Sequence, residues 1–337
     1  MKAGILVSAF SFGALFSASL AVAQAGLELL QRWKYDQSLP LDVRQIGIQE
    51  RNGVKVQDVT YASPVGDRAQ AVGPKGGMVS AYLVVPAGKG PFPAVIYGHW
   101  CMPGSEKKNR TEFLEEAVVL AQQSGVISLL PDHVSVRPGF VDDDKPFSEN
   151  QVAVMVQQVV NLRRGADLLL SRADVDAKRI AYVGHSCDAT AGGFLSGIDT
   201  RFKAFVLMAG DLSDEVDKKS KGFQEYRQRV GPERLDAFMK EHAWLDAGKY
   251  VAKAAPATLF LQFASDEPFI DEEIANGYCG IASEPKQCKI YKAQHALSPE
   301  ATRDRIVFLA ERLFFNAPPQ SELGKIPALV QPPWPKQ

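Results

Sequence analysis

Short, nearly unbroken apolar runs alternate with longer amphipathic stretches along this chain, a pattern that predicts strands buried on both faces with helices between them. Pro93-Ala94-Val95-Ile96-Tyr97-Gly98 and Val126-Ile127-Ser128-Leu129-Leu130-Pro131 are two such runs, each too short for a helix and each closed by a turn residue. Between them, residues 111–123 have helical spacing, glutamates in the first turns and a closing Ser-Gly, which completes a β-α-β unit. The alternation continues with a long helix over 149–171, a strand over 180–183, a helix after Ser186, strands over 204–208, 258–262 and 289–291, and a last amphipathic helix over 299–313. Ahead of it, 54–60 and 78–86 have strand character and predict an antiparallel entry into the sheet, while 27–50 suggests a short helix and an irregular lead-in.

The expected architecture is therefore α/β, a mostly parallel sheet with helices on both faces, in one domain over 26–316 with no internal repeat. Residues 211–253 are too long for a simple crossover and are highly charged (Asp214-Glu215, Lys218-Lys219, Arg227-Gln228-Arg229). They fit either a solvated helical excursion or a cap over the active site. The proline-rich tail over 317–337 is expected to run extended along the surface.

Composition narrows the functional classes. With 337 residues, 46% of them hydrophobic and 23% charged, the chain can enclose one substantial core. A net charge of −1 without a long basic run gives no electrostatic basis for binding nucleic acid. At the N-terminus, Lys2 precedes an apolar run over 3–22 and then Ala21-Val22-Ala23-Gln24-Ala25, which offers small residues for cleavage after Ala23 or Ala25. Residues 1–25 are thus expected to be a secretory signal and the mature protein to be periplasmic or secreted. Ser8, Ser11, Gly13, Ser17 and Ser19 interrupt the run and argue against a lasting membrane anchor. All four cysteines, Cys101, Cys187, Cys279 and Cys288, fall in the mature part, where an oxidising compartment favours bridges. Cys279 and Cys288 flank a short loop and form the more local candidate pair.

The chemistry centres on Arg179-Ile180-Ala181-Tyr182-Val183-Gly184-His185-Ser186-Cys187-Asp188, where an apolar strand runs straight into Gly-His-Ser and then into small residues. This outlines a nucleophile elbow, the strand-to-helix turn that lifts a serine hydroxyl into the open, although Asp188 stands where G-x-S-x-G has its last glycine. Downstream, Asp266 follows the strand over 258–262 and His295 follows the strand over 289–291. Serine, acid and histidine in that order, each past the carboxyl end of its own strand, form a candidate triad of Ser186, Asp266 and His295. Asp211, past the strand ending at Met208, and Glu267, beside Asp266, are the alternative acids. No His-x-x-x-His or Cys-x-x-Cys pair and no glycine-rich phosphate loop follows a strand, so no metal or cofactor is expected.

On Gly98-His99-Trp100, Gly184-His185-Ser186, Ser265-Asp266-Glu267-Pro268 and Gln294-His295, the chain resembles the α/β-hydrolase family over roughly 54–313, and within it the dienelactone hydrolase and acyl esterase branch. The resemblance implies an oxyanion hole built from the backbone N–H groups of Trp100, or of Cys101 beside it, and of Cys187. It also places Cys101 and Cys187 on adjoining loops, where they could bridge. The implied activity is cleavage of a small-molecule carboxylic ester through an acyl-enzyme on Ser186. Acyl transfer or peptidase action on the same triad, and a non-catalytic binding protein on the same scaffold, are the competing readings.

Overall fold

The computed structural model describes residues 29–51, 53–64, 77–101, 109–137, 140, 148–267 and 270–331, so the expected signal segment lies outside the described residues. A nine-stranded sheet in the order β1-β2-β3-β5-β4-β6-β7-β8-β9 forms the frame. β1 (Arg44–Arg51), β2 (Val54–Ala62) and β3 (Met78–Val85) enter antiparallel, and β3 pairs antiparallel with β5 (Ile127–Pro131). From β5 onward, β4 (Phe92–Gly98), β6 (Val175–His185), β7 (Ala204–Met208), β8 (Thr258–Ala264) and β9 (Lys286–Tyr291) run parallel.

The helices, numbered in chain order, are α1 (Leu114–Ser124), α2 (Glu149–Leu170), α3 (Cys187–Ile198), α4 (Asp214–Asp217), α5 (Lys221–Val230), α6 (Pro232–Glu241), α7 (Gly248–Val251), α8 (Glu272–Ile281), α9 (Pro299–Leu313) and α10 (Gln320–Leu323). Every residue of β5, β7 and β8 is buried, because helices cover both faces of the sheet. On one face Val156, Val159, Ala189 and Phe194 of α2 and α3 pack with Trp33, Tyr61 and Tyr182. On the other, Leu114, Ala117 and Leu120 of α1 pack with Ile306, Phe308 and Leu309 of α9 around Phe113 and Phe260. Ends are set locally: Ser148 accepts the Gln151 N–H to cap α2, and Ser298 accepts the Ala301 N–H to cap α9, whose first residue is Pro299.

Three expectations change. The irregular lead-in contains the strand β1, whose residues are mostly exposed and whose apolar positions are only Ile46 and Ile48. Residues 272–281, not expected to be helical, form α8, capped by Asp271 through the Ile274 N–H. The tail does not lie extended on the surface throughout: it forms α10, buries Leu323 and Ile326 in the core, and its Gln331 Oε1 accepts from the Ala296 N–H at 3.0 Å. Apolar anchors between its prolines pull it onto the body. The charged stretch over 211–253 is helical, comprising α4 to α7.

Candidate active site

Parallel strands deliver their following loops to one edge of the sheet, and four of those loops meet here: after β4 at His99, after β6 at Ser186, after β8 at Glu267 and after β9 at His295. Ser186 is the residue between β6 and α3, and its backbone has φ 57° and ψ −123°. A non-glycine residue with positive φ is strained, and the strain is held by the Ser186 N–H donating to the Met208 carbonyl at 2.8 Å while the Ser186 carbonyl accepts from Ala189 and Thr190. Glycine at 184 is required by contact, since a Cβ there would collide with the Asp188 backbone carbonyl.

The departure from the usual glycine at 188 has a structural explanation. Asp188 is fully buried; its carboxylate accepts from the His99 backbone N–H at 2.9 Å and from Gln158 Nε2 at 2.9 and 3.1 Å, and its carbonyl accepts from the Tyr182 hydroxyl at 2.7 Å. The room for its side chain comes from Gly98, where a Cβ would collide with Asp188 Cβ and with the Tyr182 hydroxyl. Close approach between elbow and neighbouring strand is thus met by glycine at 98 and 184. Burial pushes the Asp188 carboxyl up to about 8 despite the donors from Gln158 and His99.

The structure separates the two neighbouring acids at 266 and 267. Asp266, taken from the sequence as the partner of His295, is turned outward: its N–H donates to the Ala293 carbonyl and its carboxylate accepts from Lys292 Nζ at 2.5 Å. That lysine, with Ser265, holds its carboxyl below the usual carboxylate range. Glu267 is the acid that turns inward. Its Oε2 lies 2.6 Å from His295 Nδ1, both side chains are buried, and its Oε1 accepts from the Ile270 N–H. The correction follows from chain geometry: once Asp266 is tied by its backbone to the next loop, the following residue faces the interior, and the longer glutamate side chain spans the gap. Asp211, the other alternative, lies at a separate point beside Asp217 and Tyr278.

Trp100 also differs from the expectation. Its N–H donates to Glu112 Oε2 at 3.1 Å and so already has an acceptor. The N–H of Cys187 is one of the opening donors of α3, which have no acceptor within the helix. Cys101 and Cys187 are joined as a disulfide with Cα atoms 6.0 Å apart, linking the β4 loop to the elbow, and Cys279 is joined to Cys288 with Cα atoms 6.2 Å apart. Two groupings of metal-ligand atoms occur among the described residues. In Cys101, His133 and Cys187 both sulfurs are in the disulfide, and in Glu149, Glu241 and His242 a buried imidazole meets two exposed carboxylates.

Ser186, Glu267 and His295 line one cavity of about 1280 Å³, together with residues of α5 and α6 that include Phe223, Tyr226 and Phe238. Asp211, Asp214 and Asp217 line it too. Burial and then Asp211 push the carboxyl of Asp214 up to about 7 and that of Asp217 up to about 9.

This strand order, with the elbow after β6 and the histidine after the last strand, is the α/β-hydrolase fold, and the chain has it. In this fold it is similar to acetyl xylan and glucuronoyl esterases and to a protein described as a dienelactone hydrolase. An acetyl xylan esterase from Paenibacillus sp. R4 superposes with a TM-score of 0.62 at 16% identity, covering 92% of this chain and 97% of that one. A glucuronoyl esterase from Solibacter usitatus gives 0.54 at 14% identity over 88% and 94% of the two chains. A protein described as a dienelactone hydrolase, from Klebsiella pneumoniae subsp. pneumoniae MGH 78578, gives 0.53 at 16% identity over 78% and 99%. No family model matches the chain and no curated protein sequence does, so the likeness lies in the fold. Among the described residues, no helix is long and apolar enough to cross a membrane.

Proposed function

We propose that the protein is an exported serine esterase that uses Ser186, His295 and Glu267. The observation that carries this reading is the convergence of a positive-φ serine and a buried carboxylate–imidazole pair on one cavity. Ser186 Oγ attacks the acyl carbon while His295 Nε2 takes its proton and passes it to the departing alcohol oxygen. Water then attacks the acyl-enzyme with His295 as base, releasing the carboxylic acid and restoring the serine. Glu267 fixes the imidazole tautomer, its carboxylate accepting the Nδ1 proton. The tetrahedral oxyanion is held by the N–H of Cys187 and by one from the β4 loop, which with Trp100 engaged by Glu112 falls to Cys101.

No metal or cofactor enters this scheme. Residues 211–253 act as a cap, a reading supported by residues of α5 and α6 that line the same cavity as Ser186. The cavity is larger than a short acyl group needs, which leaves room for a bulky alcohol, as in the acetylated polysaccharide named for the acetyl xylan esterases. Export is supported by the leader pattern and by two disulfides. The test is turnover of p-nitrophenyl acetate by the mature protein: Ser186→Ala should lower kcat by about 10³-fold or more with the fold retained. Equal turnover by the variant would reject the reading.

A further inference from the structure

Behind the cavity lies a buried acid that the scheme above leaves without a role. Glu112 follows a short 3₁₀ turn and precedes α1, far in sequence from every catalytic candidate, and its side chain is only 4% exposed. Its Oε2 accepts the Trp100 N–H from the loop after β4 at 3.1 Å, and its Oε1 lies 2.5 Å from Nδ1 of His185, which is fully buried. The other ring nitrogen of His185, Nε2, lies 2.9 Å from the backbone carbonyl of His295. A carbonyl only accepts, so Nε2 is a donor, and the short contact at Nδ1 then requires a proton between ring and carboxylate. The rings of His185 and His295 are 5.0 Å apart between centroids.

We propose that Glu112 and His185 are a positioning pair that sets the β4 loop, the elbow and the His295 loop in register for acylation of Ser186. The inference rests on the esterase reading and adds two residues to it, neither of which touches substrate. One carboxylate and one imidazole reach all three loops at once: Trp100 adjoins the oxyanion donor at Cys101, His185 precedes the nucleophile, and the bonded carbonyl belongs to the catalytic histidine itself. Displacement of any one loop by about 1 Å is enough to cost roughly 10²-fold in rate. A pair that merely stabilised the fold would alter the fraction of active protein and leave the rate of each active molecule unchanged.

The test uses the mature protein with its sites counted by burst titration with a p-nitrophenyl ester, so that kcat is expressed per titrated serine. Glu112→Ala should lower that kcat by about 10–10²-fold with KM within a few-fold. Glu112→Gln should restore it to within a few-fold of the wild type, because the amide oxygen can accept the Trp100 N–H and the amide nitrogen can donate to His185 Nδ1. An unchanged per-site kcat in Glu112→Ala overturns the proposal, and so does a Gln variant as slow as Ala. Should Glu112→Ala not fold, His185→Asn, which keeps a donor toward Glu112 and loses the one to His295, must show the same per-site loss or the proposal fails. Wild-type protein that titrates normally separates a failure here from a failure of the esterase reading, in which nothing would titrate.

Discussion

At the scale of single residues, the site turns on which of two adjacent carboxylates faces inward. Glu267 is buried against His295 Nδ1, whereas Asp266 faces solvent against Lys292, so the two should separate sharply on mutation. Glu267→Gln removes the carboxylate that stabilises the imidazolium and should lower kcat by about 10²–10⁴-fold, while Asp266→Asn should stay within twofold, both read from p-nitrophenyl acetate turnover. The reverse order would restore Asp266 to the triad. Strand-end counting in the sequence reached the loop after β8 but not the residue of it that pairs with His295, because nothing in Ser265-Asp266-Glu267 says which backbone N–H the Ala293 carbonyl will capture. Asp188 offers a second residue-scale test. Its folded-state pKa of about 8 lies above the ordinary carboxyl value, so the folded chain binds more protons than the unfolded chain in between. Its contribution is fully present below about pH 4 and is lost as pH rises through about 8. The stability of wild type minus that of Asp188→Asn, from urea unfolding, should therefore fall between pH 4 and pH 8. A flat or rising difference would contradict the assignment.

At the scale of elements, strands were legible in proportion to their burial. β5, β7 and β8 are buried at every position and announce themselves as apolar runs, while β1, largely exposed with Arg44, Gln45, Gln49 and Glu50 along it, offers only Ile46 and Ile48 as apolar positions. α8 was hidden for a related reason: Gly277 and Gly280 interrupt a ten-residue helix of which only Ile274, Ala275 and Tyr278 are buried. The elbow was legible because its glycine is obligatory, and the compensating role of Gly98 was not, since it depends on a contact between two loops. The Cys101–Cys187 bridge belongs to this scale as well, joining the two loops that carry the oxyanion donors of the proposed mechanism. Replacing both cysteines by serine should cost about 2–4 kcal/mol of stability and also lower kcat per titrated site several-fold. Loss of stability with an unchanged per-site kcat would reduce the bridge to a staple.

At the scale of the whole molecule, one α/β sheet brings four loop ends to a single edge, where Ser186 and residues of the helical segment over 211–253 line one cavity. The fold class was legible from alternation, and strand ends pointed to the loops that carry Ser186, Glu267 and His295. Buried polar contacts between distant segments, such as Glu112 with His185, and the return of the tail through Leu323 and Ile326, depend on tertiary packing that no local pattern encodes. The proposed hydrolysis requires Ser186 to form a covalent intermediate. Peptide-mapping mass spectrometry of the mature protein after reaction with a fluorophosphonate should find a single adduct on Ser186, absent in Ser186→Ala. A folded protein that takes no label, or one labelled at another residue, would contradict it.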